Sequence, residues 1–235
     1  MNNTLEIVEA GGIAFVKELF RLIPVLGGTA VDIYNELQSK QIERKIKRLE
    51  SFYRSFSETL QSVADIINDE CVSKEDFLDV FEEATRYVVL ERQERKRLMF
   101  KNILTNSITS SECDFDKTER YFRLLDYLSE LELTILAVLE NPERYNSNNG
   151  MIIPDPIHNP FQTFWNDVTA EGVMTQLLHI NIHDLEGAIS VLVSNGLVSQ
   201  DFKTKRLRTN SNPIHTLDHL LTIRGKDFVK YLTDI

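Results

Sequence analysis

Glycine and proline are scarce in this 235-residue chain, nine and six respectively. Turn-dense sandwiches and barrels need both at regular intervals, so the shortage favours long helices. Positive charge is in deficit, with 26 Lys and Arg against 36 Asp and Glu and a net charge of -10. An acidic chain repels a phosphate backbone unless its cations gather on one face, which disfavours non-specific nucleic-acid binding. Cysteine occurs only at Cys71 and Cys113, in no CxxC or other metal-like spacing. The pair reads as two buried thiols in a reducing compartment. No uncharged apolar run approaches the roughly 18 residues of a membrane-spanning helix. The opening MNNTLEIVEA has no basic n-region and carries Glu6 and Glu9, so it does not read as a secretory signal. The expectation is a cytoplasmic protein of one large or two small domains.

Catalytic signatures are missing too. There is no GxSxG, no Walker loop and no HExxH, and the pairs Gly11-Gly12 and Gly27-Gly28 lack the GxGxxG context of a dinucleotide site. His179 and His183 have the i, i+4 spacing of a helical metal pair, but a turn is expected between them and no Cys or acid completes a set. His215 and His219 repeat that spacing at a loop–strand junction, where helical spacing means little. No catalytic, cofactor-binding or metal-binding residues and no cofactor are expected, so the chain reads as something other than an enzyme.

What is present is helical periodicity. Phe15, Leu19, Phe20 and Ile23 crowd a short apolar helix ended by Pro24, with Lys17, Glu18 and Arg21 on a narrow polar face. That helix suits the centre of a bundle, or a membrane or partner surface that accepts its apolar face. From Thr29 to Asp69 there is no glycine or proline, and apolar residues recur at helical spacing, which predicts one helix of about 40 residues, roughly 60 Å long. Ser73-x-x-Asp76 resembles a capping box opening the next helix. The mixed-charge run Glu91–Arg97 suggests a bend near Leu90–Arg92, a polar loop covers Thr109–Asp114, and another helix covers about Asp116–Tyr127.

Ser129-x-x-Glu132 is a second capping box, opening a helix that ends before Asn141-Pro142. A polar loop, Asn146–Asn166, has room for a strand at Met151–Ile153. Thr169–Leu178 and Ile182–Ser194 read as two short helices joined by a tight His179–Asn181 turn, and Gly196 stands where a C′ glycine belongs. Leu197–Asp201 and Leu220–Ile223 read as strands flanking a basic tip at Lys203–Arg208, with a closing helix at Arg224–Leu232. Three patterns in this order, LSELELTILAVLENP, DLEGAISVLVSNGLVSQ and HLLTIRGKDFVKYL, resemble a winged helix. The fold class expected is therefore mostly α, an N-terminal long-helix bundle over 1–128 followed by a C-terminal winged helix with a small β-hairpin over 129–235.

A winged helix reads DNA with the second helix of its pair. Here that helix offers Ser190 and Ser194 together with the acids Asp184 and Glu186, while Lys203, Lys205, Arg206 and Arg208 at the tip could contact phosphate. The segment from Phe81 to Leu139 is similar to the central and C-terminal part of the Abi-alpha family of bacterial proteins, named for phage abortive infection. The resemblance rests on Asn102-Ile103-Leu104-Thr105-Asn106 after an acidic helix, where the family has a Leu-Leu-Ala-Asn style segment, and on a helix ending in Leu128-Ser129. It implies a non-enzymatic role in anti-phage defence, by protein or membrane contact. The alternative is a transcriptional regulator dimerised by its N-terminal helices. Under either reading the long first helix would support a homodimer, with a protein, nucleic acid or a membrane surface as further partner.

Overall fold

A computed structural model describes residues 40–68, 71, 75–153, 168–207 and 212–233. It is mostly helical, with nine α-helices among the described residues. None of the helices searched is long and apolar enough to cross a membrane. Phe15, Leu19, Phe20, Ile23, Ser73 and Arg208 lie outside the described residues. The described residues form two compact units. One runs up to Tyr127 and takes in the residues from Tyr231 onward, and the other is Leu128–Lys230.

The first unit contains α1 (Lys40–Ser62), α2 (Glu75–Leu90), α3 (Glu94–Thr109) and α4 (Phe115–Tyr127). On α1 the buried residues Phe52, Phe56 and Leu60 step by four and make one apolar stripe. On α2 the stripe is Phe77, Val80, Phe81, Ala84 and Val88. α3 packs against α1, α2 and α4 and is buried on most sides, including Phe100, Ile103, Leu104 and Ile108. Aromatic rings fill the space between the helices. Phe56 and Phe77 both contact Phe81, and Phe100 stacks on Tyr87 at 5.1 Å between centroids.

The expected single helix over Thr29–Asp69 is shorter at its C-terminal end. It stops at Ser62 and is followed by a 3-10 turn, Ala64–Ile66, while residues 29–39 lie outside the described set. The bend expected near Leu90–Arg92 is a full break, Glu91–Gln93, between α2 and α3. Here the mixed-charge run has a structural task. Arg48 Nη1 donates to Val89 O at 3.1 Å, and Arg97 Nη1 donates to Arg92 O at 2.8 Å and Glu91 O at 3.3 Å. Two guanidinium groups thus occupy carbonyls left open where the helix ends.

The free-thiol reading of the cysteines is overturned. Cys71 and Cys113 form a disulfide across 42 residues, with Cα atoms 5.2 Å apart. Asn68 aligns the two connections it joins: its N–H donates to Ile108 O at 2.8 Å and its side-chain amide to Ser110 O at 3.3 Å. Cys71 lies before α2 and Cys113 between α3 and α4, so tertiary packing, which residue spacing does not encode, brings them together.

Asn102 and Asn106 lie one helical turn apart on α3. The last helix of the chain, α9 (Ile223–Leu232), ends in this unit. Asn102 Nδ2 donates to Leu232 O at 2.8 Å, and Asn106 Nδ2 to Tyr231 O and Thr233 O at 3.3 and 3.2 Å. Helix-end carbonyls have no intrahelical partner, and these two amides supply one.

The second unit begins with α5 (Glu130–Glu140) and α6 (Pro142–Asn148). The Ser129 capping box forms as its spacing predicts, with Glu132 N donating to Ser129 Oγ and Ser129 N to Glu132 Oε2. Asn141 accepts from Arg144 N at 2.9 Å and Pro142 takes the first turn, so the supposed loop from Asn146 begins inside a helix. Met151–Ile153 is not a strand. Buried Asn146 instead holds Ile153 by both backbone groups, Nδ2 to its O at 2.8 Å and Oδ1 from its N at 2.9 Å.

Then follow β1 (Val168–Thr169), α7 (Ala170–Leu178), α8 (Ile182–Ser194), a 3-10 turn at Gln200–Lys203, β2 (Arg206–Leu207) and a second 3-10 turn at Pro213–Leu217. The hairpin is smaller than expected and differently paired. Leu197–Asp201 and Leu220–Ile223 meet at one antiparallel bridge, Val198 to Leu221, and Ile223 already begins α9. Buried Phe202 pulls the chain into the 3-10 turn after Ser199, and β2 pairs antiparallel with β1. Gly225 explains the RGKDF pattern: a Cβ there would run into the carbonyl of Leu197. Its N–H donates to Thr222 Oγ1 at 2.9 Å, and that hydroxyl donates to Gly196 O at 2.6 Å, tying the start of α9 to the exit of α8.

Candidate functional site

Two features of the second unit are candidates, the outer face of the α7–α8 pair and a cleft beside α6. The pair is built from local signals. Thr169 Oγ1 accepts from Gly172 N at 3.0 Å to start α7. His179, in the left-handed conformation at φ 53°, ends it. Asn181 Oδ1 then accepts from Asp184 N at 2.9 Å to start α8. Leu185, Ala188, Ile189 and Leu192 face inward.

The outward face of α8 carries His183, Asp184, Glu186, Ser190 and Ser194, all exposed. His183 Nδ1 lies 3.6 Å from Glu186 Oε2. Asp184 pairs with the Asn181 amide. Both serines donate back to their own helix, Ser190 Oγ to Glu186 O at 2.7 Å and Ser194 Oγ to Val191 O at 2.9 Å. Neither α7 nor α8 contains a lysine or arginine. Among the described residues of the expected basic tip, Lys203 and Arg206 are exposed. Lys205 is half-buried and its ammonium donates to the carbonyl of Asp218.

The cleft has a volume of about 600 Å³, within the roughly 300–1,000 Å³ common for ligand sites. Leu139, Pro142 and Leu221 supply apolar lining, and Glu140, Glu143, His215, Asp218, His219 and Lys226 the polar lining. His215 sits on the 3-10 turn Pro213–Leu217, which Asn212 caps by accepting from Ile214 N at 3.1 Å. A 3-10 turn has three residues per turn, so His215 and Asp218 fall on one side of it. His215 Nδ1 lies 2.8 Å from Asp218 Oδ2. Nε2 stands 3.7 Å from Glu143 Oε1 on α6. His219, next in the chain, has a positive φ of 59°.

The sequence pattern pairs His215 with His219, whereas the structure pairs His215 with Asp218 and Glu143. The three-residue spacing was legible, given a 3-10 turn. The approach of Glu143 had no local signal. Among the described residues, no group of three or more His, Cys, Asp or Glu is placed to hold a metal ion. Comparison with protein-family models, curated proteins and solved structures finds no match to this chain.

Proposed function

We propose that this chain is a non-enzymatic protein of bacterial anti-phage defence or a related stress response. In this reading the N-terminal helices act as a dimer through protein or membrane contact, and the C-terminal unit is a winged helix that serves as a sensor or docking module. The observation that carries it is the absence of lysine and arginine from α7 and α8, with Asp184 and Glu186 on the outward face of the would-be reading helix. A helix entering the major groove passes between two rows of phosphates, and two acids without a cation oppose that approach. The order of helix, helix pair, Val198–Leu221 bridge and closing helix supports the winged-helix reading. The defence role rests on the Abi-alpha resemblance around Asn102–Asn106.

Gel shifts over a salt series test the docking role. The expected result is no sequence-selective DNA binding at about 150 mM salt. Tight, selective binding that disappears when Lys203, Lys205, Arg206 and Arg208 are changed to Glu would overturn it. The chain would then be a transcriptional regulator, the reading that exposed Lys203 and Arg206 favour. Membrane contact is tested by vesicle leakage: the parent should release dye and the Phe15→Asp/Phe20→Asp variant should not. No leakage from the parent, or equal leakage from both, removes the membrane branch.

A further inference from the structure

We propose that one end of the first unit, formed by the start of α1, the α2–α3 break and the end of α4, docks on the surface of an anionic lipid bilayer. This deepens the membrane contact proposed above for the N-terminal helices and rests on it. Two sets of bonds bring the three segments to one end. Arg48 of α1 donates to Val89 O and Leu90 O, at the end of α2, at 3.1 and 3.4 Å. Lys96 of α3 donates to Asp126 O, near the end of α4, at 3.1 Å, and its ammonium lies 3.8 Å from Glu91 Oε2 in the break.

Charge at this end runs against that of the chain. The whole chain carries -10, yet residues 44–50 hold Arg44, Lys45, Lys47 and Arg48 against Glu50. In and just after the break stand Arg92, Arg95 and Arg97, with Glu94 beside them and Asp126 on α4 as the opposing acids. Glu91 and the buried Lys96 offset one another. Arg48 and Arg97 use N–H groups on backbone carbonyls, but a guanidinium has five and a carbonyl leaves its charge in place. Cations therefore outnumber acids here, and the end attracts anionic surfaces.

A second, independent feature lies among these cations. Ile46, Leu90 and Tyr127, one from each of three helices, are 43%, 67% and 66% exposed. The start of α1 has little packed around it: Arg44, Lys45, Ile46 and Lys47 look to nearly all sides of the helix, and all four are exposed.

Charge alone suits a nucleic-acid backbone as well as a bilayer, and the apolar side chains decide between them. Isoleucine and leucine gain nothing from a row of phosphates. At a lipid interface they enter the acyl boundary, the tyrosine ring sits at headgroup depth, and Lys and Arg lay their stems alongside and reach lipid phosphates with their heads. The chain also enters α1 at this end, so the sequence that joins the unit here carries the apolar run Phe15, Leu19, Phe20 and Ile23, interleaved with Lys17 and Arg21.

The test sediments the full chain with vesicles of phosphatidylcholine alone and with vesicles holding about 30% phosphatidylglycerol, at about 100 mM salt. Each cation near an anionic surface strengthens binding about fivefold. The anionic vesicles should therefore bind at least about a hundredfold tighter, and Arg44→Gln/Lys45→Gln/Arg92→Gln should remove about a hundredfold. Ile46→Ser/Leu90→Ser should weaken binding about tenfold without a change in circular dichroism, since both side chains are exposed. Salt raised to about 0.5 M should release the unaltered protein, a readout that needs no variant to fold. An unchanged triple-glutamine variant, or retention at high salt, overturns the proposal. So does duplex DNA bound at the same salt and released by the triple-glutamine change, which assigns this end to nucleic acid. Equal binding to both vesicles that Phe15→Asp/Phe20→Asp abolishes removes the basic end alone and leaves membrane contact standing. No binding to either vesicle removes membrane contact itself.

Discussion

The Cys71–Cys113 bond makes a quantitative prediction. It closes a loop across 42 residues. In the chain-entropy model such a crosslink removes about 13 cal/mol/K from the unfolded ensemble, or about 4 kcal/mol at 25 °C. The perturbation is Cys113→Ser, and separately dithiothreitol on the parent. Cys113 is half-exposed, so its change to serine leaves little unsatisfied, whereas Cys71 is fully buried and a hydroxyl there would add its own penalty. Asn68 keeps its bonds to Ile108 O and Ser110 O in either state, so the folded geometry has a second tie. Urea unfolding followed by circular dichroism should show a loss of about 3–4 kcal/mol on reduction and on Cys113→Ser. The dependence on denaturant should also steepen, because an uncrosslinked unfolded chain is more expanded. Two results refute the reasoning: free thiols at both cysteines in protein purified without reductant, or oxidised and reduced midpoints that coincide with equal slopes.

Three further predictions concern single side chains. Asn102→Leu conserves bulk but strips the Leu232 carbonyl of its partner, and urea melts should show a loss of about 1–3 kcal/mol. Gly225→Ala forces a methyl group into the Leu197 carbonyl and should lower stability by about 1–3 kcal/mol or more, as thermal melts can measure. Glu83 has its pKa raised, first by burial and then by the nearby Glu119 carboxylate. The folded state therefore holds this proton more tightly than the unfolded chain, and stability falls as pH rises through the ordinary glutamate range and on through the folded value. Glu83→Gln should raise the urea midpoint at neutral pH and leave it unchanged in acid, where the parent residue is already protonated.

What was legible in the sequence was local. Ser129 with Glu132, Thr169, Asn181 and Gly196 mark helix ends through bonds that span three or four residues, and the helices begin and end beside them. The scarcity of glycine and proline likewise points to helix without reference to tertiary contacts. Local pattern misleads where the backbone geometry or a tertiary partner decides the outcome. Periodicity predicts a helix running past Ser62, because Val63 and Ile67 keep the apolar rhythm, although the backbone there turns to 3-10 and extended geometry. Met151–Ile153 has the look of a strand, but the buried amide of Asn146 takes both backbone groups of Ile153 and leaves them nothing to offer a sheet.

The polar residues of the second unit carry this argument to the candidate site. Lys203, Lys205, Arg206 and Arg208 form a basic cluster by spacing alone, and spacing treats them as equals. Their bonds separate them: Lys205 turns inward to the Asp218 carbonyl, while Lys203 and Arg206 remain at the surface. Ser190 and Ser194 look available for a base edge, yet each hydroxyl is already committed to a carbonyl of its own helix. The cleft inverts the case. Glu143, His215 and Asp218 carry no shared motif, and two of them meet only because a 3-10 turn replaces the helical period that would have joined His215 to His219. In this unit the residues that look like a nucleic-acid site are partly consumed in holding the fold. Glu143 joins His215 and Asp218 from α6, a helix some seventy residues earlier in the chain, so no local spacing could point to the three together.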